Sequence, residues 1–173
     1  MKGSMKVLGI AVLGFALAGG RTVFADSEKY AYVDVAKIFD EYQKTKDNDK
    51  TLQEAGKKKE NERQGLVDQV RQMKDELALV SNEARAKKED ALEVKVRELQ
   101  DFDRGAKREL GEQRNKAVRG IFKDIDDTVQ RYGERKGLDL VVNERALLYH
   151  SPKLDATQEV LNELNKGYSK QKK

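Results

Sequence analysis

The chain of 173 residues has no cysteine and no tryptophan, one proline and one histidine, and only 6% aromatic residues. Without cysteine there is no disulfide scaffold, no thiolate zinc site and no thiol nucleophile. With a single proline the chain is neither collagen-like nor a proline-rich disordered segment. His150 stands alone beside Tyr149. No spaced His/Cys/carboxylate set accompanies it, so a metal or nucleophilic site has nothing to build on. It reads as a solvated or packing residue. The numerous carboxylates sit in mixed-charge runs, with no apolar pocket to raise their pKa and make an acid catalyst. Neither G-x-x-x-x-G-K-[ST] nor G-x-G-x-x-G occurs, so no nucleotide-binding loop is recognisable. The expectation is a chain that is not an enzyme and has no cofactor or metal.

What is abundant is charge: Lys, Arg, Asp and Glu make up 38% of the residues, and the formal net charge is +4. The excess lies largely in the first 25 residues. Lys2 and Lys6 precede an uncharged apolar run from Val7 to Gly19, and Val23-Phe24-Ala25 offers a small-x-small cleavage site. The run is shorter than the ~20 apolar residues a membrane-spanning helix needs. It reads as a secretory signal peptide over residues 1–25, cleaved near Ala25. Removing it takes away Lys2, Lys6 and Arg21 and no acid, which leaves 32 bases against 31 acids. A near-neutral mature chain lacks the basic excess of a nucleic-acid binder.

Lys29–Val35 is a strand signal of aromatic and β-branched residues. From Ala36 the apolar spacing becomes helical and continues to about Leu79. Leu66, Val70, Met73, Leu77 and Val80 follow spacings of 4, 3, 4 and 3, an a/d heptad seam. Ser81-Asn82 breaks the pattern with two N-cap types. A second helix carries Leu92, Val96, Leu99, Ala106, Leu110 and Ala117 on one frame and ends at Gly137 after Arg135-Lys136. Two helices of about 43 and about 54 residues joined by a tight turn would form an antiparallel hairpin about 65 Å long. Lys59, Arg63, Asp103 and Gln113 fall on seam positions, so the seam is thin. Val67, Val94 and Phe102 lie off it.

Gly56, Gly65, Gly105, Gly111 and Gly120 interrupt the helical pattern, each costing about 1 kcal/mol relative to Ala. With the turn centred near Ser81, Gly56 faces Gly105, a candidate hinge; the alternative is that these glycines permit close helix approach. Val118, Ile121, Phe122, Ile125 and Val129 form a denser apolar face. Leu138–Val142 and Ala146–Tyr149 are strand signals separated by a hairpin-like turn. Asp155 is expected to cap a last helix, with Gln158 three residues on as a capping-box variant; Val160, Leu161 and Leu164 form its apolar face, Gly167 stops it and a disordered tail follows. The fold class is α+β, mostly α: a small β body from both ends of the chain, 26–45 and 125–173, with a helical-hairpin arm over 46–124 and its tip near 80–83. Three short strands leave unpaired edges, and so small a body buries little core, which points to oligomerisation.

VDVAKIFDEYQKTK at 33–46, LVSNEARAKKE at 79–89 and KGLDLVVNERALLYHSPKLDATQEVLNELN at 136–165 resemble, in order, the opening motif, arm tip and closing motif of the Skp/OmpH family of periplasmic chaperones. The resemblance implies a homotrimer with a shared β body and three arms around a cavity. Such a protein holds unfolded outer-membrane proteins without ATP. By position, Val33, Val35, Leu140, Val142, Leu147 and Tyr149 would build the trimeric body. Leu66, Val70, Met73, Leu77, Leu92, Val96, Leu99 and Leu110 would zip each arm, and Val67, Val94 and Phe102 would be the client-contact candidates. Members often have strongly basic arm tips. Here residues 71–90 carry five bases and five acids, which gives little support to contact with lipid or lipopolysaccharide. The alternative function is a structural coiled-coil spacer or tether of the cell envelope, for which an unbroken seam without internal glycine is expected.

Overall fold

The structure is a computed structural model and describes residues 29–172; the expected signal peptide lies outside the described residues. The order is β1 (Tyr30–Val33), α1 (Val35–Glu41), α2 (Gln43–Leu77), α3 (Asn82–Lys136), β2 (Leu140–Asn143) and α4 (Thr157–Gln171), with short 3-10 turns at Glu144–Ala146 and Pro152–Leu154. β1 and β2 pair in parallel, Tyr30 with Leu140 through Val33 with Asn143. Parallel neighbours need a long crossover, and here α1, α2 and α3 together supply it. On its other side β1 meets the chain before α4, where the Ala156 N–H donates to the Tyr32 carbonyl at 2.9 Å.

The first helix expected to run from Ala36 to Leu79 is two helices. Asp34 caps α1 by accepting from the Lys37 N–H at 3.0 Å, and the chain becomes extended at Tyr42 (φ −63°, ψ 128°). Tertiary contacts outweigh helical continuity at this residue. The Tyr42 ring is 2% exposed, its hydroxyl donates to Asp124 on α3 at 3.1 Å, and the next N–H, of Gln43, donates to Asn165 Oδ1 on α4 at 2.9 Å. A run of good periodicity carries no trace of these distant partners.

α2 ends at Leu77 and α3 begins at Asn82 behind an extended Ser81 (ψ 160°) that makes no side-chain cap bond. The turn thus lies at 78–81, slightly earlier than the expected 80–83. α3 ends as expected. Gly137 takes a left-handed conformation (φ 61°), and the Leu138 N–H reaches back to the Gly133 carbonyl at 2.9 Å, a Schellman closure that glycine makes inexpensive.

Two expectations near the C-terminus fail. Ala146–Tyr149 is not a strand of this chain. Asn143 Oδ1 accepts from the Arg145 N–H at 3.4 Å and diverts the backbone into the 3-10 turn, so no hairpin returns along β2. Gly167 does not stop the last helix, which continues to Gln171, so the tail expected to be disordered is helical as far as that residue. The contacts of Tyr168 and Lys172 described below outweigh one glycine's propensity cost.

The core lies where α1, α3 and α4 meet the sheet. Ile38, Ile121, Ile125 and Val160 are essentially inaccessible. Val33, Tyr42, Tyr132, Leu161 and Leu164 complete it. Ile125→Ala is expected to cost about 2–5 kcal/mol through lost burial and a residual cavity. Val94→Ala, on an exposed helical face, is expected to stay within about 0.5 kcal/mol. Urea unfolding of the two variants checks the contrast.

Candidate interaction surface

Beyond that core, α2 and α3 hold each other through little apolar surface. Among the described residues between 46 and 120, Val70 alone is fully buried. Leu66, Met73, Leu77, Leu92, Val96, Leu99 and Leu110 are half-buried. Charged side chains at expected seam positions turn out to be links between the helices. Lys59 meets Glu109 at 2.8 Å, Arg63 meets Asp103 at 3.0 Å, and nearer the turn Glu76 meets Lys88 at 2.8 Å. The hydrogen bond to Glu109 raises the Lys59 pKa, and that from Lys88 lowers the Glu76 pKa. Exposed pairs of this kind contribute about 0–1 kcal/mol each. They set which residues face one another more than they stabilise the pairing.

The pairs also correct the expected register. Lys59 lies opposite Glu109, so Gly56, nearly a turn further from the tip, faces residues beyond 109 rather than Gly105. Nor do the glycines permit close approach. A Cβ built on Gly56, Gly65, Gly105, Gly111 or Gly120 meets no atom within 4 Å. These positions are free of packing demands.

The three off-seam candidates separate by exposure. Val94 is 64% exposed. Val67 and Phe102 are half-buried, with the Lys59 ammonium 5.8 Å from the Phe102 ring centroid. Leu79, in the turn, is 87% exposed; a leucine inside the tip motif was its only sequence signal.

On the strand side, the six body candidates divide. Val33 is buried and Val35 packs against the core at the start of α1, while Val142 and Leu147 are half-buried. Leu140 and Tyr149 are largely exposed, and Leu148, which sequence reasoning passed over, is completely so. Tyr30, the strand partner of Leu140, is also exposed. Tyr30 and Leu140 are neighbours across the sheet, and Leu148 and Tyr149 follow one another after the 3-10 turn; exposed apolar side chains that cluster ordinarily mark an interaction site. His150 closes the segment. Its ring centroid lies 4.2 Å from that of Tyr32, and its Nε2 is 3.1 Å from Glu144. It is therefore a packing residue with one carboxylate partner.

Among the described residues, no group of three His, Cys, Asp or Glu side chains could hold a metal ion. No described helix is long and apolar enough to cross a membrane.

Comparison with known proteins places this arrangement. The Chaperone protein Skp of Yersinia enterocolitica is 30% identical over 167 residues, covering 92% of this chain and 98% of that protein. The crystal structure of an OmpH-like protein from Caulobacter crescentus CB15 superposes with a TM-score of 0.75 at 14% identity, over 81% of this chain and 85% of that one. At that identity the likeness speaks for the fold. The model of the family described as Outer membrane protein (OmpH-like) matches residues 29–164, and the chain belongs to that family.

Proposed function

We propose that the protein is an ATP-independent holdase chaperone of the periplasm that binds unfolded outer-membrane proteins between helical arms and keeps them from aggregating. In this reading residues 1–25 are a signal peptide removed near Ala25. Residues 26–45 and 125–173 form the body, and α2 with α3 over 46–124 forms an antiparallel hairpin arm. The observation that carries the reading is the contrast along these helices. Burial is concentrated at their root, while from 46 to 120 only Val70 is fully buried among the described residues.

That contrast suits the task. An unfolded β-barrel chain exposes aggregation-prone strands. A holdase working without ATP must mask them through many weak contacts, so that release needs no energy input. Long, densely charged helices with a few exposed apolar side chains, Val94 and Leu79 among them, offer such contacts. Val67 and Phe102 are half-covered and add area when the seam loosens. The exposed Leu140, Leu148 and Tyr149, and the segment after Ala146 that joins no strand among the described residues, make the body an incomplete sheet, which three copies would complete as a homotrimer. The relative named Chaperone protein Skp supports the same reading. A stiff spacer or tether is the weaker fit, because arm glycines with open space around them serve no packing purpose.

Diluting a urea-unfolded outer-membrane β-barrel protein into the purified mature chain is expected to abolish the rise in light scattering at one trimer per client. Unchanged scattering would remove the holdase reading. Scattering mass of the chain alone is expected near three chains. The double variant Gly56→Ala, Gly105→Ala is expected to gain about 1 kcal/mol per site from helix propensity. It should also damp the arm's slow motions in relaxation-dispersion measurements; unaltered dynamics would show that these two glycines, which do not face each other, do not loosen the arm.

A further inference from the structure

α2 begins with a deficit. Its N-terminal boundary, Tyr42, is aromatic and supplies no side-chain cap, although the first N–H groups of a helix need acceptors. The acceptor comes from α4, far away in sequence: Asn165 Oδ1 takes the Gln43 N–H at 2.9 Å. One turn further along α2, Asp47 receives donors from two helices. Gln43 Nε2 donates at 2.9 Å from the same helix. The Tyr168 hydroxyl donates at 3.0 Å from α4, and the Lys172 ammonium of the chain just past α4 completes the set.

The spacing makes this one device. Asn165, Tyr168 and Lys172 are three and four residues apart, so they form a stripe along one face of the C-terminal segment. Gln43 and Asp47 are four apart and form a matching stripe on α2. Two stripes joined at two levels, about a turn apart, resist pivoting as well as separation; a single contact would act as a swivel. The Tyr42 ring packs edge-on against Tyr168, with centroids 5.9 Å apart, directly at the break between α1 and α2. The break leaves the chain free to redirect there, and the stripes remove that freedom. The carboxylate is held well below its usual range, at about 2, chiefly by the Lys172 hydrogen bond, so it stays ionised and charge-assisted.

We propose that Asp47, gripped by Tyr168 and Lys172 while Asn165 caps α2, is a positioning residue that fixes the angle at which the arm leaves the body and thereby the size of client the arms accommodate. The client part rests on the holdase reading; the angular part does not. α4 is then more than a core helix, since its last turns brace the arm root.

The test compares the full mature chain with Asp47→Asn, with Lys172→Ala, and with the swap Asp47→Lys plus Lys172→Glu. Hydrogen exchange of the backbone amides at 43–50 is expected to quicken at least tenfold in both single variants and to return towards wild type in the swap. Small-angle scattering is expected to show a broader distribution of maximum dimension in the single variants. Thermal melting and scattering mass serve as controls, and Lys172→Ala, remote from the core, keeps the test open if Asp47→Asn misfolds. The ratio of Kd values for unfolded barrels of about eight and about sixteen strands is expected to shift at least threefold towards the larger. Unchanged exchange in both single variants would overturn the clamp. Quickened exchange with an unchanged Kd ratio would overturn its role in client size. A wild-type chain that binds neither barrel would instead remove the holdase reading, while exchange and scattering still decide the clamp.

Discussion

Two helices of 35 and 55 residues are anchored mainly at one end, and everything else in the fold answers to that constraint. Apolar burial is the only term large enough to anchor them, at about 25 cal/mol per Å². It is concentrated where Ile38, Ile121, Ile125 and Val160 meet. The two-stranded sheet would be marginal by itself. It holds because the crossover helices and α4 cover it, and because β1 is paired on one side by β2 and on the other by the chain entering α4.

Away from that anchor, stabilisation changes character. Half-buried leucines and valines, cross-helix pairs such as Arg63–Asp103 and within-helix pairs such as Arg85–Glu89 each contribute little. Their sum keeps the helices formed without welding them together. Charge density also keeps such long surfaces soluble, and balance between the signs avoids self-repulsion. The opposing charges at seam positions act as register markers. Sliding α3 along α2 would leave Lys59, Arg63 and Glu76 unpaired or facing like charge, a modest penalty that favours one alignment.

Much of this was legible in the residues. The heptad spacings gave the long helices, Gly137 after Arg135-Lys136 gave the end of α3, and Val160, Leu161 and Leu164 gave the buried face of α4. The failures share a cause. The helix break at Tyr42 is imposed by Asp124 and Asn165, which are 82 and 123 residues away in sequence. The pattern around Tyr42 is locally helical, and local pattern is all that periodicity reads. Gly167 is overruled by neighbours that reach α2. Asn143 turns the chain with a single side-chain acceptor, a competition between turn and strand that β-branched composition does not reveal. Register failed because facing residues do not count off evenly from the turn: Glu76–Lys88, Arg63–Asp103 and Lys59–Glu109 drift progressively towards later residues of α3, so Gly56 and Gly105 no longer meet. Among the interaction candidates, exposure separated Val94 from Val67 and Phe102, and exposure depends on how two helices nestle, which spacing alone does not fix.

The contacts at the arm root are set to keep their protonation states. Asp47, held at about 2 chiefly by its bond from Lys172, has a folded pKa below its unfolded value. Its contribution is therefore complete above the ordinary carboxylate range and is lost only as pH falls through about 2. Tyr42 is shifted the other way, raised first by burial and then by the Asp124 carboxylate. Its contribution is complete below the ordinary tyrosine range and is lost only as pH rises beyond it. Between these limits the phenol remains a neutral donor and the carboxylate a charged acceptor. A root fixed by histidine would loosen and tighten as pH moves between about 5 and 8. A root fixed by a low carboxylate and a high phenol keeps one geometry across that range, and the thinly packed stretch of α2 and α3 lies beyond it.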